Sequence, residues 1–97
     1  MNITIHPDFK KAYKKRISNN PKLVAKTAER LRLFQENPRN PLLRDHKLKG
    51  DKKDFRGFWI TGDIRIVYFP VSDNEVLLLS VGTHNQVYKL FCFTTAP

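Results

Sequence analysis

His46 to Tyr88 reads HKLKGDKKDFRGFWITGDIRIVYFPVSDNEVLLLSVGTHNQVY, and this stretch decides the fold. After a basic loop, residues 55–60, 64–69 and 75–81 are rich in β-branched and aromatic side chains, as strands are. Thr61-Gly62-Asp63 and residues 71–74 supply the turns, which predicts two successive antiparallel hairpins. Pro70 falls at a strand end, where its missing N–H costs least. Within the middle strand Arg65 stands between Ile64 and Ile66, so its side chain points to the face opposite theirs. An arginine there must reach solvent, an acidic group or a ligand. Residues 84–93 are compatible with a short helix or a last strand, and 94–97 with a loose tail.

Working back from this stretch, residues 39–53 form a long charged loop that Leu42, Leu43 and Leu48 should anchor to the core. Long loops in compact domains often carry function. Before it, residues 21–36 read as a helix with a buried stripe of Val24, Ala28, Leu31 and Phe34. Asn20 is suited to cap this helix and Pro21 to its first position. Asn37-Pro38 ends it, because the residue before proline avoids helical angles. An earlier helix begins at Pro7 and turns Phe9, Ala12, Tyr13 and Ile17 inward, with Lys10, Lys11, Lys14 and Lys15 outward. Residues 2–5 make a short strand, and His6 beside Pro7 is structural. The order is β-α-α-β-β-β with a short C-terminal element. It predicts one α+β domain over 1–97, a helical hairpin covering one face of a mainly antiparallel sheet. The other face should be open to a partner.

The 97 residues are 40% hydrophobic, sufficient for a core. The net charge of +9 is uneven. Residues 1–56 hold sixteen of the eighteen Lys and Arg but six of the nine acids, and so carry +10, leaving −1 for the rest. Such an excess points to a polyanion, with nucleic acid favoured over an acidic protein segment or an anionic membrane face. A single cysteine, Cys92, excludes an internal disulfide and a cysteine-based zinc site. The apolar runs are too short for a membrane span, and MNITIHPDFKK has no signal-peptide apolar region, so a cytoplasmic protein is expected.

Three segments carry a resemblance: His46-Lys47-Leu48-Lys49-Gly50, Gly62-Asp63-Ile64-Arg65-Ile66-Val67-Tyr68, and Val81-Gly82-Thr83-His84 followed by Val87-Tyr88. In this order, behind a strand and a helical hairpin, the chain resembles the RelE/ParE superfamily of toxins from type II toxin–antitoxin pairs. Within it the chain looks most similar to the YafQ-like branch. The resemblance implies a RelE-like fold and a toxin that enters the A site of the 70S ribosome and cleaves mRNA. It also implies a cognate antitoxin. His46, Asp63 and His84 match a loop histidine, the catalytic aspartate and the catalytic histidine of that branch. Tyr88 falls at a functional aromatic position, Arg65 at the middle-strand arginine of RelE proper, and Arg56 at a RelE lysine. Two positions depart: Trp59 stands where the branch has a histidine, and Ser80 where it has an arginine.

RNA can be cut by its own 2′-hydroxyl attacking the adjacent phosphate, given a base, an acid and cations for the phosphoryl oxygens. His46 or Asp63 is the candidate base and His84 the candidate acid, histidine being the side chain that titrates near neutrality. Arg65 and Arg56 can hold phosphate, Trp59 or Tyr88 can stack on a base, and Lys47, Lys49, Lys52 and Lys53 border the site. No metal ion or cofactor is called for. Competing readings are a ParE-like toxin that poisons DNA gyrase by binding, and a degenerate basic RNA-binding domain.

Overall fold

The computed structural model describes residues 1–48 and 54–87. Strand β1 (Asn2–Ile5) leads into helices α1 (Pro7–Arg16) and α2 (Pro21–Glu36). The helix starts follow the expected capping chemistry. His6 Nδ1 accepts the Asp8 N–H at 3.0 Å, which gives His6 its structural role, and Pro7 takes the first helical position. Asn20 accepts the N–H groups of Lys22 and Leu23 at 3.1 and 3.2 Å ahead of Pro21. Asn37 closes α2 before Pro38.

A five-stranded sheet is built from β1, β2 (His46–Lys47), β3 (Arg56–Trp59), β4 (Ile64–Ser72) and β5 (Glu75–Thr83), in the order β1-β5-β4-β3-β2. β1 runs parallel to β5, and the other three pairings are antiparallel. The sheet is therefore mixed: the helices carry the chain to the far edge at β2, and three antiparallel steps bring it back beside β1 running in the same direction. The helices cover one face. Phe34 of α2 is fully buried there, stacked on Phe58 at 4.5 Å and meeting Tyr68 edge-on at 4.9 Å. Ile17, Leu43, Ile66, Leu78 and Val81 complete this core.

The departures from expectation have local causes. The long loop contains a 3₁₀ turn (Pro41–Leu43) and the edge strand β2, and Leu42 is 59% exposed while Leu43 and Leu48 are buried. In α2 the buried positions are Thr27 and Phe34, whereas Ala28 is exposed. The helix is thus rotated by about one residue, leaving an apolar groove against α1. β4 continues through Pro70 to Ser72, past the last β3 pair at Arg56–Tyr68, where Pro70 has no β3 neighbour to want its N–H.

The second face is only partly open. Tyr68 pairs with Leu78 but Val67 pairs with Ser80, so Leu79 is an extra residue in β5. This bulge resets the alternation and keeps Val81 in the main core. Val67, Leu48 and Val87 form a small second cluster on the outer face, joined by Phe55 and Leu79. Among the described residues, no helix is long and apolar enough to cross a membrane.

Candidate active site

Directly opposed residues of antiparallel strands share a face. One outer row is therefore His46–Gly57–Val67–Ser80, and the next is Trp59–Arg65–Gly82. Among the described residues, the Leu48–Val87 cluster covers the first row at Val67 and includes no member of the second. At its β5 end Asp63, Arg65 and His84, with Gly62, Thr83 and Asn85, line one cavity of about 360 Å³. Both Asp63 and His84 are exposed, and Arg65 is half-buried. Arg65 Nε is buried and finds no hydrogen-bond partner among the described residues. A larger cavity of about 720 Å³ opens beside Tyr68, Arg56 and Phe34, but no histidine lines it. Size therefore ranks below chemistry here, because proton transfer near neutrality calls for the smaller cavity.

Local hydrogen bonds aim these side chains. Thr61 Oγ1 accepts the N–H groups of Asp63 and Ile64 at 3.2 and 3.1 Å, which fixes the β3–β4 turn and the placement of Asp63. Residues 84–87 are helical, and Thr83 and Gln86 form a reciprocal capping box. The Thr83 N–H donates to Gln86 Oε1 at 2.8 Å, and the Gln86 N–H donates to Thr83 Oγ1 at 3.2 Å. His84 is thereby held at the first helical position. Arg16, from the end of α1, donates to the Val81 carbonyl at 3.0 Å. A Cβ on Gly82 would stand 2.6 Å from Gln86 Oε1 and 2.8 Å from Arg16 Nη1. A side chain there would displace the ends of those two side chains.

At the β2 side, Arg44 lines the larger cavity with Asp45 but reaches Trp59 with its guanidinium, and His46 joins the outer row. Arg44 is left-handed, with φ 49°, a conformation few non-glycine residues adopt. Its carbonyl lies 2.8 Å from His46 Nδ1. A carbonyl can only accept, so Nδ1 carries the proton and the neutral ring keeps its lone pair on Nε2. The Arg44 guanidinium lies 4.6 Å from the Trp59 ring centroid, and that of Arg65 lies 5.0 Å from it. Trp59 is half-buried between these two cations rather than packed in a core.

Asp45 turns the other way. Its carboxylate accepts from Tyr68 Oη at 2.9 Å and from Arg56 Nε at 3.3 Å. Burial, reinforced by the Asp45 charge, holds the Tyr68 phenol above its usual range. For Arg56, burial acts to lower the pKa, but Asp45 and Tyr68 more than offset it, and the guanidinium ends above its ordinary value. Arg56 thus belongs to a network on the helix side, away from His84. Lys47, opposite Arg56, alternates to that same side.

Residues 1–89 match the family described as bacterial toxin of type II toxin–antitoxin system, YafQ. The chain belongs to the YafQ family of type II toxins. Its fold is shared by solved toxins. A copper-bound mutant toxin from Helicobacter pylori is 31% identical with a TM-score of 0.71, covering 90% of this chain and 98% of that one. The YoeB dimer from Staphylococcus aureus is 29% identical with a TM-score of 0.70, covering 87% and 97%. The E. coli DinJ-YafQ toxin–antitoxin complex contains a chain 20% identical with a TM-score of 0.74, covering 90% and 96%. No curated protein matches the chain.

Within this YafQ-family fold, Asp63, Arg65 and His84 come together, His46 and Trp59 lie along the same face, and Arg56 and Lys47 do not join them. Lys49, Lys52, Lys53 and Tyr88 lie outside the described residues. Ser80 is fully buried in the outer row beside Val67. No group of three or more metal-ligating side chains is found among the described residues. Arg16, Arg44, Asp45 and Gln86 escaped the sequence reading. Thr83-x-x-Gln86 is a legible capping box, and Asp45 is a lone acid in a basic run. Nothing local marks Arg16 or Arg44.

Proposed function

We propose that this toxin is an endoribonuclease that cleaves mRNA in the ribosomal A site by attack of the 2′-hydroxyl on the adjacent phosphate. The observation that carries the reading is the shared, solvent-open cavity of Asp63, Arg65 and His84. Arg65 lies between His46 and His84 in strand order, so a phosphate over Arg65 has one histidine on each flank. In-line displacement wants its base and its acid on opposite sides of phosphorus. His46 takes the 2′-OH proton through Nε2, and His84 delivers a proton to the departing 5′-oxygen. Arg65 bears the charge that develops on the phosphoryl oxygens. Asp63, in the same cavity as His84, orients its ring. These residues perform the chemistry with no metal ion assigned a step.

His46 stands two strand spacings, about 10 Å, from the β4 row, so the substrate must bring the two flanks to one phosphate. A ribosome that presents the mRNA supplies that alignment. A cognate antitoxin neutralises the toxin. The apolar groove between α1 and α2, lined by Phe9, Tyr13, Val24 and Leu31 and edged by Lys10, suits an amphipathic segment with acidic flanks.

The test is cleavage of mRNA on programmed ribosomes, mapped by primer extension, with wild type beside His84→Ala and Arg65→Ala. A discrete A-site cut, lost in both folded variants, supports the nuclease. No cut by folded, antitoxin-free wild type removes the reading and turns attention to gyrase. The base is assigned by the pH–rate profile: His46→Ala should abolish the ascending limb, and Asp63→Asn should leave it in place.

A further inference from the structure

We propose that Arg44, Trp59 and Arg65 form a nucleotide subsite for single-stranded RNA, in which both guanidinium groups take a phosphate and the indole takes the neighbouring base. The proposal rests on the ribonuclease reading of the adjoining cavity. Arg44 from the β2 side and Arg65 from the β4 side both lie close to one indole, no further apart than the sum of their distances to it. Among the described residues neither forms an ion pair, although Asp45 is the immediate neighbour of Arg44. That acid is committed to Arg56 and Tyr68 on the other side of the sheet. Two cations beside one indole, neither of them ion-paired among the described residues, can take an anion.

The backbone supports the same conclusion. The positive φ of Arg44 is the sole one recorded for a non-glycine residue among those described. It is kept although glycine would fit without strain, and strained residues gather where function holds them. This conformation sends the Arg44 carbonyl to His46 and its guanidinium to Trp59 in one stroke. The orphaned Nε of Arg65 adds a donor awaiting an acceptor. An exposed guanidinium on an indole is held weakly, so an arriving phosphate can draw it off and uncover the ring for stacking. The base must be unstacked to reach the indole, which selects single-stranded over duplex RNA. Trp59 thus supplies a binding element one strand from Arg65, on the same face as His46.

Trp59 is the only tryptophan, so its fluorescence reports the subsite directly. The experiment titrates the full chain with a short 2′-O-methyl oligoribonucleotide, which cannot be cleaved, over a range of salt. Wild type should show saturable quenching. Arg44→Gly relieves the backbone and so stays folded, but should bind about tenfold more weakly, with a salt slope lower by about one. An abasic strand should leave most of the emission unquenched. Unchanged affinity and slope in Arg44→Gly, equal quenching by the abasic strand, or no quenching of wild type would each overturn the subsite. The nuclease reading is judged separately, by the ribosomal cut and its dependence on His84.

Discussion

Two arginines on neighbouring strands face opposite sides of one sheet and have opposite surroundings. Arg56 on β3 is paired with Asp45, and the same carboxylate takes the Tyr68 hydroxyl. Arg65 on β4 has a buried, unpartnered Nε, a tryptophan beneath its guanidinium and a second arginine nearby. A cation whose counter-charge is built into the fold contributes to stability. A cation left without one costs stability and is retained for something that arrives later. An arginine on a strand is uninformative until its face and its acid are known.

The contrast breaks most sharply at Arg65. Replacing it with Gln should lower A-site cleavage by about 10²–10³-fold, the cost typical of losing one preorganised charge stabiliser. Thermal stability should hold within a few degrees, since no ion pair among the described residues is lost. Single-turnover cleavage beside a melting curve checks both halves. A large fall in Tm with cleavage intact would reverse the assignment.

The same logic predicts the reverse outcome for the paired cluster. Asp45→Asn leaves Arg56 and Tyr68 facing an uncharged partner. Arg56 keeps some solvent contact, so the cost is discounted to roughly 2–3 kcal/mol. For a domain of this size that lowers Tm by about 10–15 °C. Cleavage should fall as well, because Asp45 is the pin between Arg44 and His46. Restoring stability by an unrelated core substitution should not restore the rate.

The sequence supports the element order well and the outer face poorly, and particular residues say why. Pro7, Asn20, Pro21 and Asn37 announce their helix ends through short-range chemistry, and each stands where it was expected. Arg65 is legible because alternation within β4 is local. The bulge at Leu79 is not legible, since Val76–Leu79 are apolar at every position and show no alternation, and that bulge decides which side Ser80 takes. Nor could alternation show that the outer face would be half roofed by Leu48 and Val87, which meet only in the folded chain. Arg56 and Arg65 look alike in sequence. Asp45, eleven residues away from Arg56, separates their roles.

A smaller effect comes from Tyr68. Its phenol is held above its usual range, chiefly by burial, so the folded protein keeps a proton that the unfolded chain releases near pH 10. Stability from this group is complete below about pH 10 and is lost as pH rises further, because the unfolded state then binds fewer protons. Tyr68→Phe should cost about 1 kcal/mol at neutral pH and flatten the alkaline fall. Urea titrations from pH 7 to 11 measure both. Parallel curves for wild type and variant would detach Tyr68 from the network.

The subtlest break in the contrast is at Gly82, where the structural and functional sides of the sheet meet. An added methyl would stand against Gln86 Oε1 and Arg16 Nη1, the ends of two flexible side chains that can move away. Gly82→Ala should therefore change stability by no more than about 1 kcal/mol, since alanine also lowers the entropy of the unfolded chain. The displaced Gln86 loosens the capping box that holds His84 at the start of its helix. Cleavage should fall about tenfold, through kcat rather than KM, because the acid is misaimed while Arg65 still holds phosphate. The His84 ring resonances should shift while those of His6, which caps α1, stay fixed. A normal kcat with an unshifted His84 would mean that the cap only finishes the chain end, and that Arg16 and Gln86 belong with Arg56 on the structural side.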